Sequence, residues 1–242
     1  SVSPGPLVAA PAALLQGTDG AASMAVALTA EEQALLEEVR AIARSFVASR
    51  PVLSEDVSLL QDHFLLRFLR ARQWSKEKAV EMLTNHLRWM DEKSVVASLD
   101  VPFPELLLAK RFYPTGFHAT DKLGRPVYVD CVGKLDMARL LQHVTREQVL
   151  DNYVRESERQ IRLRFPACSL ARGEVVDRSL NIVDLSGLSF GLLTHSMAKK
   201  VVKEMSAISQ DHYPETCGQI VFVNVPKLFA MAWSSFSSLL DE

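Results

Sequence analysis

The sequence predicts an α/β protein in which a helical N-terminal subdomain precedes a mostly parallel sheet flanked by helices. Two apolar, β-branched runs at 179–185 and 220–225 are separated by a stretch of helical periodicity at 190–210. Continuous apolar strands joined by a helix are typical of a parallel pair that is buried on both faces. Parallel sheets bind ligands beyond the carboxyl ends of their strands. The polar residues after each strand, and the helix after the second strand, are therefore the first candidates for a functional site.

Composition narrows the class of protein. The chain has 242 residues, of which 48% are hydrophobic, and a net charge of -2. This weak charge argues against a protein that binds nucleic acid, and no apolar run approaches the roughly 20 residues that span a bilayer. Three cysteines without a close pair indicate a reducing compartment and no disulfide framework. Residues 1–28 contain no Lys or Arg and are predicted to form a disordered tail.

The helical subdomain is predicted over residues 29–95. Thr29 and Glu32 have the spacing of a capping box, which opens the first helix. Ser75 is predicted to be the N-cap of the third helix. Helices are predicted over residues 29–49, 55–72, 76–91 and 101–111.

The sheet domain is predicted over residues 105–242. Strands are predicted over 116–120, 125–130, 179–185 and 220–225, with helices over 145–164 and 190–210. The first two strands flank a turn and form a hairpin. Thr145 and Gln148 form a second capping box, and Pro166 is predicted to end the helix that follows. Acid-first i,i+4 pairs at 151/155 and 158/162 predict that the arginines of this helix form a solvated, salt-bridged face.

One arginine in the helical subdomain is predicted to be buried. Arg67 falls on the same side of its helix as three apolar residues. An arginine in that position needs a carboxylate or phosphate partner, because an unpaired buried charge is costly. The favoured interpretation is an internal ion pair to the sheet domain, with Glu215 or Asp211 as the partner. Direct contact with a ligand is the alternative.

A short motif suggests one alternative activity. Gly187, Ser189 and Gly191 match G-x-S-x-G, the nucleophile elbow of α/β-hydrolases, and lie between a strand and a helix. The elbow places its serine directly after the strand, whereas three residues intervene here. The favoured interpretation is an ordinary strand-to-helix loop, and a serine hydrolase that uses Ser189 is kept as the alternative function.

The sequence predicts neither a metal site nor a nucleotide site. The six histidines show no HExxH spacing and the cysteines no CxxC spacing, which argues against a zinc site. The Walker A and GxGxxG patterns are also absent from the printed sequence. No catalytic residue and no cofactor are therefore predicted.

The final predicted helix, 227–240, is apolar all round rather than on one stripe. Phe229, Trp233 and Phe236 are its largest side chains. Such a helix is either fully buried or faces a second apolar environment. A site for a large apolar ligand and an ordinary covered helix both remain open on this pattern alone.

Six segments resemble, in order, the motifs of the CRAL-TRIO lipid-binding family. They are DHFLLRFLRAR (62–72), GRPVYV (124–129), RFPACS (164–169), LNIVDLSG (180–187), HYPE (212–215) and VFVNVP (221–226). The first resembles the signature helix of the N-terminal domain of the family, and the others resemble motifs of its lipid-binding domain. The resemblance is greatest to the fungal-type phosphatidylinositol/phosphatidylcholine transfer proteins, and six ordered matches are far more specific than one.

The resemblance implies a protein that binds one phospholipid in a hydrophobic pocket and transfers it between membranes without covalent chemistry. In the family a Tyr pair, a Ser and a Thr hold the choline headgroup. The corresponding residues here are Phe117, Tyr128, Ser179 and Asn181, of which two match and two depart. Arg67 and Glu215 match two residues of the inositol-phosphate site. The helix 227–240, with Phe229, Trp233 and Phe236, corresponds to the helix that gates the pocket.

The same resemblance implies where the protein acts and with what. The phospholipid is the only ligand, with no cofactor, and the protein is expected to be a cytoplasmic monomer that transiently contacts Golgi or endosomal membranes. The family fold continues beyond residue 242, so the domain is predicted to be incomplete at its C-terminus. A lipid sensor that scaffolds a partner without transferring lipid is the third functional hypothesis.

Overall fold

The computed structural model describes residues 27–99, 101–227 and 229 of the chain. The first part is helical and contains α1 to α6 with one 3-10 turn. Its elements are α1 (Ala30–Ala48), α2 (Pro51–Ser54), the 3-10 turn Val57–Leu60, α3 (Asp62–Ala71), α4 (Lys76–Glu92), α5 (Val95–Ser98) and α6 (Leu106–Phe112). None of the helices in the described ranges is long and apolar enough to cross a bilayer.

The capping box predicted at the start of the first helix is confirmed. The Glu32 backbone N–H donates to Thr29 Oγ1 over 3.2 Å, and the Thr29 N–H donates to Glu32 Oε2 over 2.8 Å. The helix then buries a stripe of residues spaced three or four apart, Leu36, Val39, Ala43 and Val47. This stripe packs in the main hydrophobic core together with α3 and α4.

The prediction of a single helix over 55–72 is wrong, because the extended residue Gln61 separates the 3-10 turn from α3. Asp56 caps the 3-10 turn by accepting from the Ser58 N–H over 3.1 Å. Gln61 then adopts an extended backbone, with φ -77° and ψ 150°, before α3 begins. Ser75 stands at the N-cap position of α4 as predicted, although its side chain makes no capping hydrogen bond.

The second part of the chain contains the sheet. Its elements are β1 (Thr115–Thr120), β2 (Pro126–Asp130), the 3-10 turn Val132–Lys134, α7 (Met137–Leu140), α8 (Arg146–Arg159), the π-helical segment Gln160–Arg164, α9 (Phe165–Arg172), β3 (Ser179–Asp184), α10 (Phe190–Thr194), α11 (Ser196–His212) and β4 (Cys217–Val223). The predicted helix over 190–210 is therefore two helices. His195 separates them, and its Nδ1 accepts from the Ala198 N–H over 3.3 Å as the cap of α11.

The predicted α/β class is confirmed by the sheet. Its strand order is β1-β2-β3-β4, with β1 antiparallel to β2 and the other two pairs parallel. The expectation that both parallel strands are buried on both faces is wrong. In β3 only Ser179 is buried and the other five residues are half-buried, whereas in β4 the first four residues are exposed and the last three are half-buried. Within the described sheet β4 is an edge strand that pairs only with β3.

Pro166 does not end the long helix of the second part. The chain continues from α8 through the π-helical segment into α9, which ends at Gly173 with a positive φ of 76°. The Phe165 N–H donates to Gln160 O, one residue further back than in an α-helix. Pro166 then lies in the first turn of α9, where a missing N–H is tolerated. The sequence pattern gives no sign of this change in register.

The arginines of this helix are not all on a solvated face. Arg162 donates to Glu158 over 2.7 Å, as the i,i+4 spacing predicts. Glu158, however, is only 3% exposed, and Arg155 is buried as well. Asp151 and Arg155 form no ion pair with each other in the structure. The face is buried because it packs against the helical first part of the chain, with Arg162 also paired to Asp56 over 2.7 Å.

Two glycines hold the loops after β2 and β3 in direct contact. A Cβ on Gly133 would lie 2.2 Å from the Ser186 carbonyl oxygen, and a Cβ on Gly187 would lie 3.0 Å from the Gly133 carbonyl oxygen. Gly187 also has a φ of 87°, which disfavours any other residue. The two loops therefore approach each other backbone to backbone.

We expect Gly133→Ala to destabilise the protein by about 1–3 kcal/mol, because the new methyl group meets backbone atoms that cannot rotate away. Gly191→Ala is the matched control. Its Cβ would meet only the Ser189 hydroxyl, at 3.8 Å, and α10 gains a better helix former. Urea denaturation of both variants tests the prediction. Equal unfolding midpoints for the two variants would contradict it.

Candidate functional site

Four of the six predicted headgroup residues lie together on one face of the sheet. Phe117 is paired with Tyr128, and Tyr128 with Asn181, directly opposite each other on neighbouring strands. Residues opposite each other share a face, and so do residues two apart in a strand, which adds Ser179. The rings of Phe117 and Tyr128 have centroids 5.0 Å apart. We call these four residues the cross-strand row.

Ser179 orients the polar end of this row. It is 1% exposed, and its hydroxyl lies 2.8 Å from Asn181 Oδ1 and 3.2 Å from Thr216 O. A hydroxyl has one proton, so it donates to one of these oxygens at a time. When the Ser179 hydroxyl donates to Asn181 Oδ1, it fixes the orientation of the side-chain amide. The amide nitrogen of Asn181 then points away from Ser179. The row thus combines an aromatic surface with a positioned amide donor.

Arg164 is part of this site, and the residue pattern did not single it out. Its guanidinium carbon lies 4.0 Å from the centroid of the Phe117 ring, and its NH2 donates to Glu156 over 3.0 Å. Its NH1 is buried and has no hydrogen-bond partner among the described residues. The RFPACS motif contains this arginine, so the signal was present in the resemblance. A cation over the ring adds about 0.5–2 kcal/mol of attraction.

A small cavity adjoins the row at Tyr128. Its volume is about 60 Å³, and it is lined by Phe103, Leu106, Ala109, Lys110, Tyr113, Thr115, Tyr128, Leu140, Val144, Val149, Asn152, Tyr153, Glu156 and Met205. At about 10–15 Å³ for each water, this volume holds roughly four water molecules. The cavity by itself therefore has room for a small polar group and not for a two-chain lipid. We call it the Tyr128 cavity.

A buried carboxylate stands behind this cavity. The Tyr113 hydroxyl donates to Asp130 Oδ2 over 3.0 Å, whereas Asp130 Oδ1 is buried without a partner in the described structure. Burial raises the pKa of Asp130 to about 6, although the Tyr113 hydrogen bond opposes the change. Burial also raises the pKa values of Tyr113 and Tyr128, so both phenols keep their protons at neutral pH.

Arg67 and Glu215, the remaining predicted headgroup residues, are not brought together. Arg67 is 2% exposed, and its Nε and NH1 have no hydrogen-bond partner among the described residues. Burial lowers the pKa of Arg67 to about 10, and the Glu158 carboxylate is the main charge that opposes this shift. Glu215 instead bonds to Arg178. Their assignment to an inositol-phosphate site stays a prediction.

The predicted gate helix 227–240 lies mostly outside the described residues, and so do Trp233 and Phe236. Lys227 and Phe229 are described. Phe229 is buried, and its ring centroid lies 5.4 Å from that of Phe222. Phe222 is two residues after Ile220, which is paired with Asn181. Phe229 therefore contacts the face of the sheet that carries the cross-strand row.

The G-x-S-x-G serine has a structural role. Ser189 is the N-cap of α10, and its Oγ accepts from the Leu192 N–H over 3.2 Å. Two histidines, His195 and His212, follow Ser189 in the printed sequence. His212 stacks on Trp89 of α4 with ring centroids 4.0 Å apart. His195 caps α11. The described ranges contain no group of three or more His, Cys, Asp or Glu side chains that could hold a metal ion.

Comparison with known families defines the class of protein. The CRAL/TRIO domain matches residues 110–242, and the CRAL/TRIO N-terminal domain matches residues 37–85. The chain therefore belongs to the CRAL/TRIO family, as the ordered motifs predicted. The crystal structure of Sfh5 has the same fold, with a TM-score of 0.68 at 18% identity over 90% of this chain and 79% of that one.

Three relatives place the chain more narrowly within the family. It is 38% identical to the phosphatidylinositol/phosphatidylcholine transfer protein SFH4 of Arabidopsis thaliana over 74% of this chain and 29% of that protein. It is 36% identical to the Sec14 cytosolic factor of Schizosaccharomyces pombe over 76% of this chain and 64% of that protein. It is 34% identical to the SEC14 cytosolic factor of Kluyveromyces lactis over 96% of this chain and 72% of that protein. The first two matches span less than two thirds of those relatives.

Proposed function

We propose that the protein binds one phospholipid of the phosphatidylinositol/phosphatidylcholine type and transfers it between membranes. The observation that carries the proposal is the cross-strand row, which places an aromatic surface and an amide donor on one face of the sheet. Phe229, from the proposed gate, contacts the same face. The identity to a named phosphatidylinositol/phosphatidylcholine transfer protein supports the choice of lipid.

The energetics of exchange explain why the headgroup site matters. Moving an acyl chain out of water is worth about 0.8 kcal/mol for each CH₂ group. In a bilayer, however, the chains are already out of water, so transfer into an apolar pocket is close to neutral. Selectivity must then come from the headgroup, where unpaired polar groups are penalised. The rate depends on the gate, which opens at a membrane surface.

In the proposed site the cross-strand row holds the headgroup and no covalent chemistry occurs. Arg67 and Glu215 are proposed ligands of an inositol phosphate, although Arg67 is buried in the structure and must become accessible for that role. Residues 227–240, with Phe229, Trp233 and Phe236, form the proposed gate. The helical subdomain is assigned to residues 29–95 and the lipid-binding domain to 105–242.

The proposed cellular setting follows from the relatives. Two of them are named cytosolic factors. We place this protein in the cytosol as a monomer without a cofactor, in transient contact with Golgi or endosomal membranes. Colocalisation of the tagged protein with markers of these membranes tests the placement.

Transfer and headgroup recognition are tested together on the purified chain. Native mass spectrometry should show a bound phospholipid, and the protein should move labelled phosphatidylcholine between liposomes. Asn181→Leu should slow transfer about tenfold, because the amide donor of the row is lost. Ile182→Leu, one residue along β3 on the opposite face, is the matched control and should transfer at the wild-type rate.

Each failure in this assay has a distinct meaning. A protein that carries no phospholipid at all would refute the proposal. A protein that binds lipid but moves none between liposomes would be a sensor or scaffold. Labelling by a fluorophosphonate that Ser189→Ala abolishes would favour the serine hydrolase instead.

A further inference from the structure

The Tyr128 cavity has a polar side and an apolar side that come from different elements. Its polar lining residues belong to β1, β2, α8 and the end of α6, whereas its apolar residues come mainly from α6, α7 and α11 and from the segments beside them. Tyr128 belongs both to this cavity and to the cross-strand row. A lipid headgroup on the row would therefore have this cavity as its neighbour.

Three polar residues around the cavity have hydrogen-bond acceptor capacity that is not filled. Tyr113 uses its only proton on Asp130, so its oxygen can only accept from a group in the cavity. Asn152 Oδ1 is buried without a partner among the described residues. Glu156 accepts from Arg159 and Arg164, one on each oxygen, and each oxygen keeps a further lone pair. The occupant that suits these atoms is a donor of several hydrogen bonds.

One negative charge beside the cavity has no cationic partner among the described residues, whereas Glu156 is already paired with Arg159 and Arg164. Asp130 is buried behind Tyr113, and in the described structure it forms no ion pair. Lys110 also lines the cavity, but its ammonium is not within ion-pair distance of Asp130. A buried carboxylate without a cation is unfavourable, so a positive group in the cavity would be stabilised.

We propose that the Tyr128 cavity binds the primary ammonium of an ethanolamine phospholipid, so that the protein prefers phosphatidylethanolamine to phosphatidylcholine. An ammonium donates three hydrogen bonds, whereas the trimethylammonium of choline donates none and leaves the acceptors unpaired. Phosphatidylserine is disfavoured, because its extra carboxylate would approach the unpaired carboxylate of Asp130. The inference rests on the proposed binding and transfer of one phospholipid, and it changes only which headgroup is preferred.

The test is a competition on the full chain. The protein is incubated with vesicles that contain equal amounts of phosphatidylethanolamine, phosphatidylcholine, phosphatidylserine and phosphatidylinositol, and the bound lipid is identified by native mass spectrometry. Phosphatidylethanolamine should exceed phosphatidylcholine by about tenfold, the effect of one or two satisfied acceptors. Asn152→Leu and, separately, Asp130→Asn should remove this preference while phosphatidylcholine remains bound. Asp184→Asn is the matched control and should keep it, because Asp184 follows Val183, the β3 partner of Asp130, and therefore lies on the opposite face of the sheet.

The outcomes separate this inference from the proposed function. Equal binding of the two lipids by the wild-type protein, or an excess of phosphatidylcholine, would overturn the inference even if both variants fail to fold. Bound phosphatidylinositol alone would overturn it as well, while supporting the proposed function. The absence of any bound phospholipid would instead refute the function. Soluble glycerophosphoethanolamine should not displace the lipid; displacement would show that the cavity takes a free amine, which contradicts the lipid assignment.

Discussion

Replacing Glu158 by glutamine is expected to destabilise the protein by about 3–5 kcal/mol, because a buried network loses its central negative charge. Glu158 accepts from Arg162 over 2.7 Å and from the Tyr213 hydroxyl over 2.9 Å. It is also the main acidic influence on Arg67, which is itself buried. Without this carboxylate the Arg67 charge keeps only the weaker influence of groups such as Asp177. The free energy of unfolding from urea titrations of the two proteins measures the effect.

The control for this substitution is a glutamate on the same helix with an exposed ion pair. Glu147 bonds to Arg146 over 2.6 Å, and its side chain is largely exposed. Glu147→Gln should leave the unfolding midpoint unchanged, because solvent screens surface pairs and Arg146 keeps its bond to Glu204. If the two glutamine variants unfold at the same urea concentration, the buried network does not hold the two parts of the chain together.

The protein is expected to lose stability as the pH falls from 7 to 5, because buried histidines between α4 and α11 must stay neutral. His86 is 1% exposed, and burial lowers its pKa well below the usual value, with His212, Arg67 and Arg162 adding to the effect. The unfolded chain therefore binds more protons below about pH 6.5. Protonation of His86 in the unfolded chain then removes about 1.4 kcal/mol of stability for every further pH unit. Burial also lowers the pKa values of His212 and His63.

Comparison with His86→Phe isolates this contribution. A phenyl ring suits the position, since His86 contacts Phe64 and Phe68 with centroids 5.7 and 5.3 Å away. The variant should show a smaller loss of unfolding free energy between pH 7 and pH 5. The raised pKa of Asp130 makes the folded protein more stable as the pH falls, which opposes the effect of His86. Asp130 is present in both proteins, so its contribution cancels when their unfolding free energies are subtracted. Parallel stability curves for the two proteins would show that His86 does not titrate on unfolding.

Local signals in the sequence account for much of the fold. The capping boxes at Thr29 and Thr145 form as predicted, because each depends on residues three apart in one chain segment. The hairpin and the parallel pair also follow from apolar runs and turn residues. The order of the six motifs identified the family before any contact was known, and the comparisons confirm it.

Tertiary structure decided the features that depend on residues far apart in the chain. The four residues of the cross-strand row share one face because Phe117, Tyr128 and Asn181 lie opposite one another on neighbouring strands. This register arises only when the strands pair. The main charge that acts on Arg67 is Glu158 and not Glu215, because Glu158 is buried with it whereas Glu215 is bonded to Arg178. Helical periodicity determined which side chains turn inward, whereas the packing of separate elements determined which of these side chains meet.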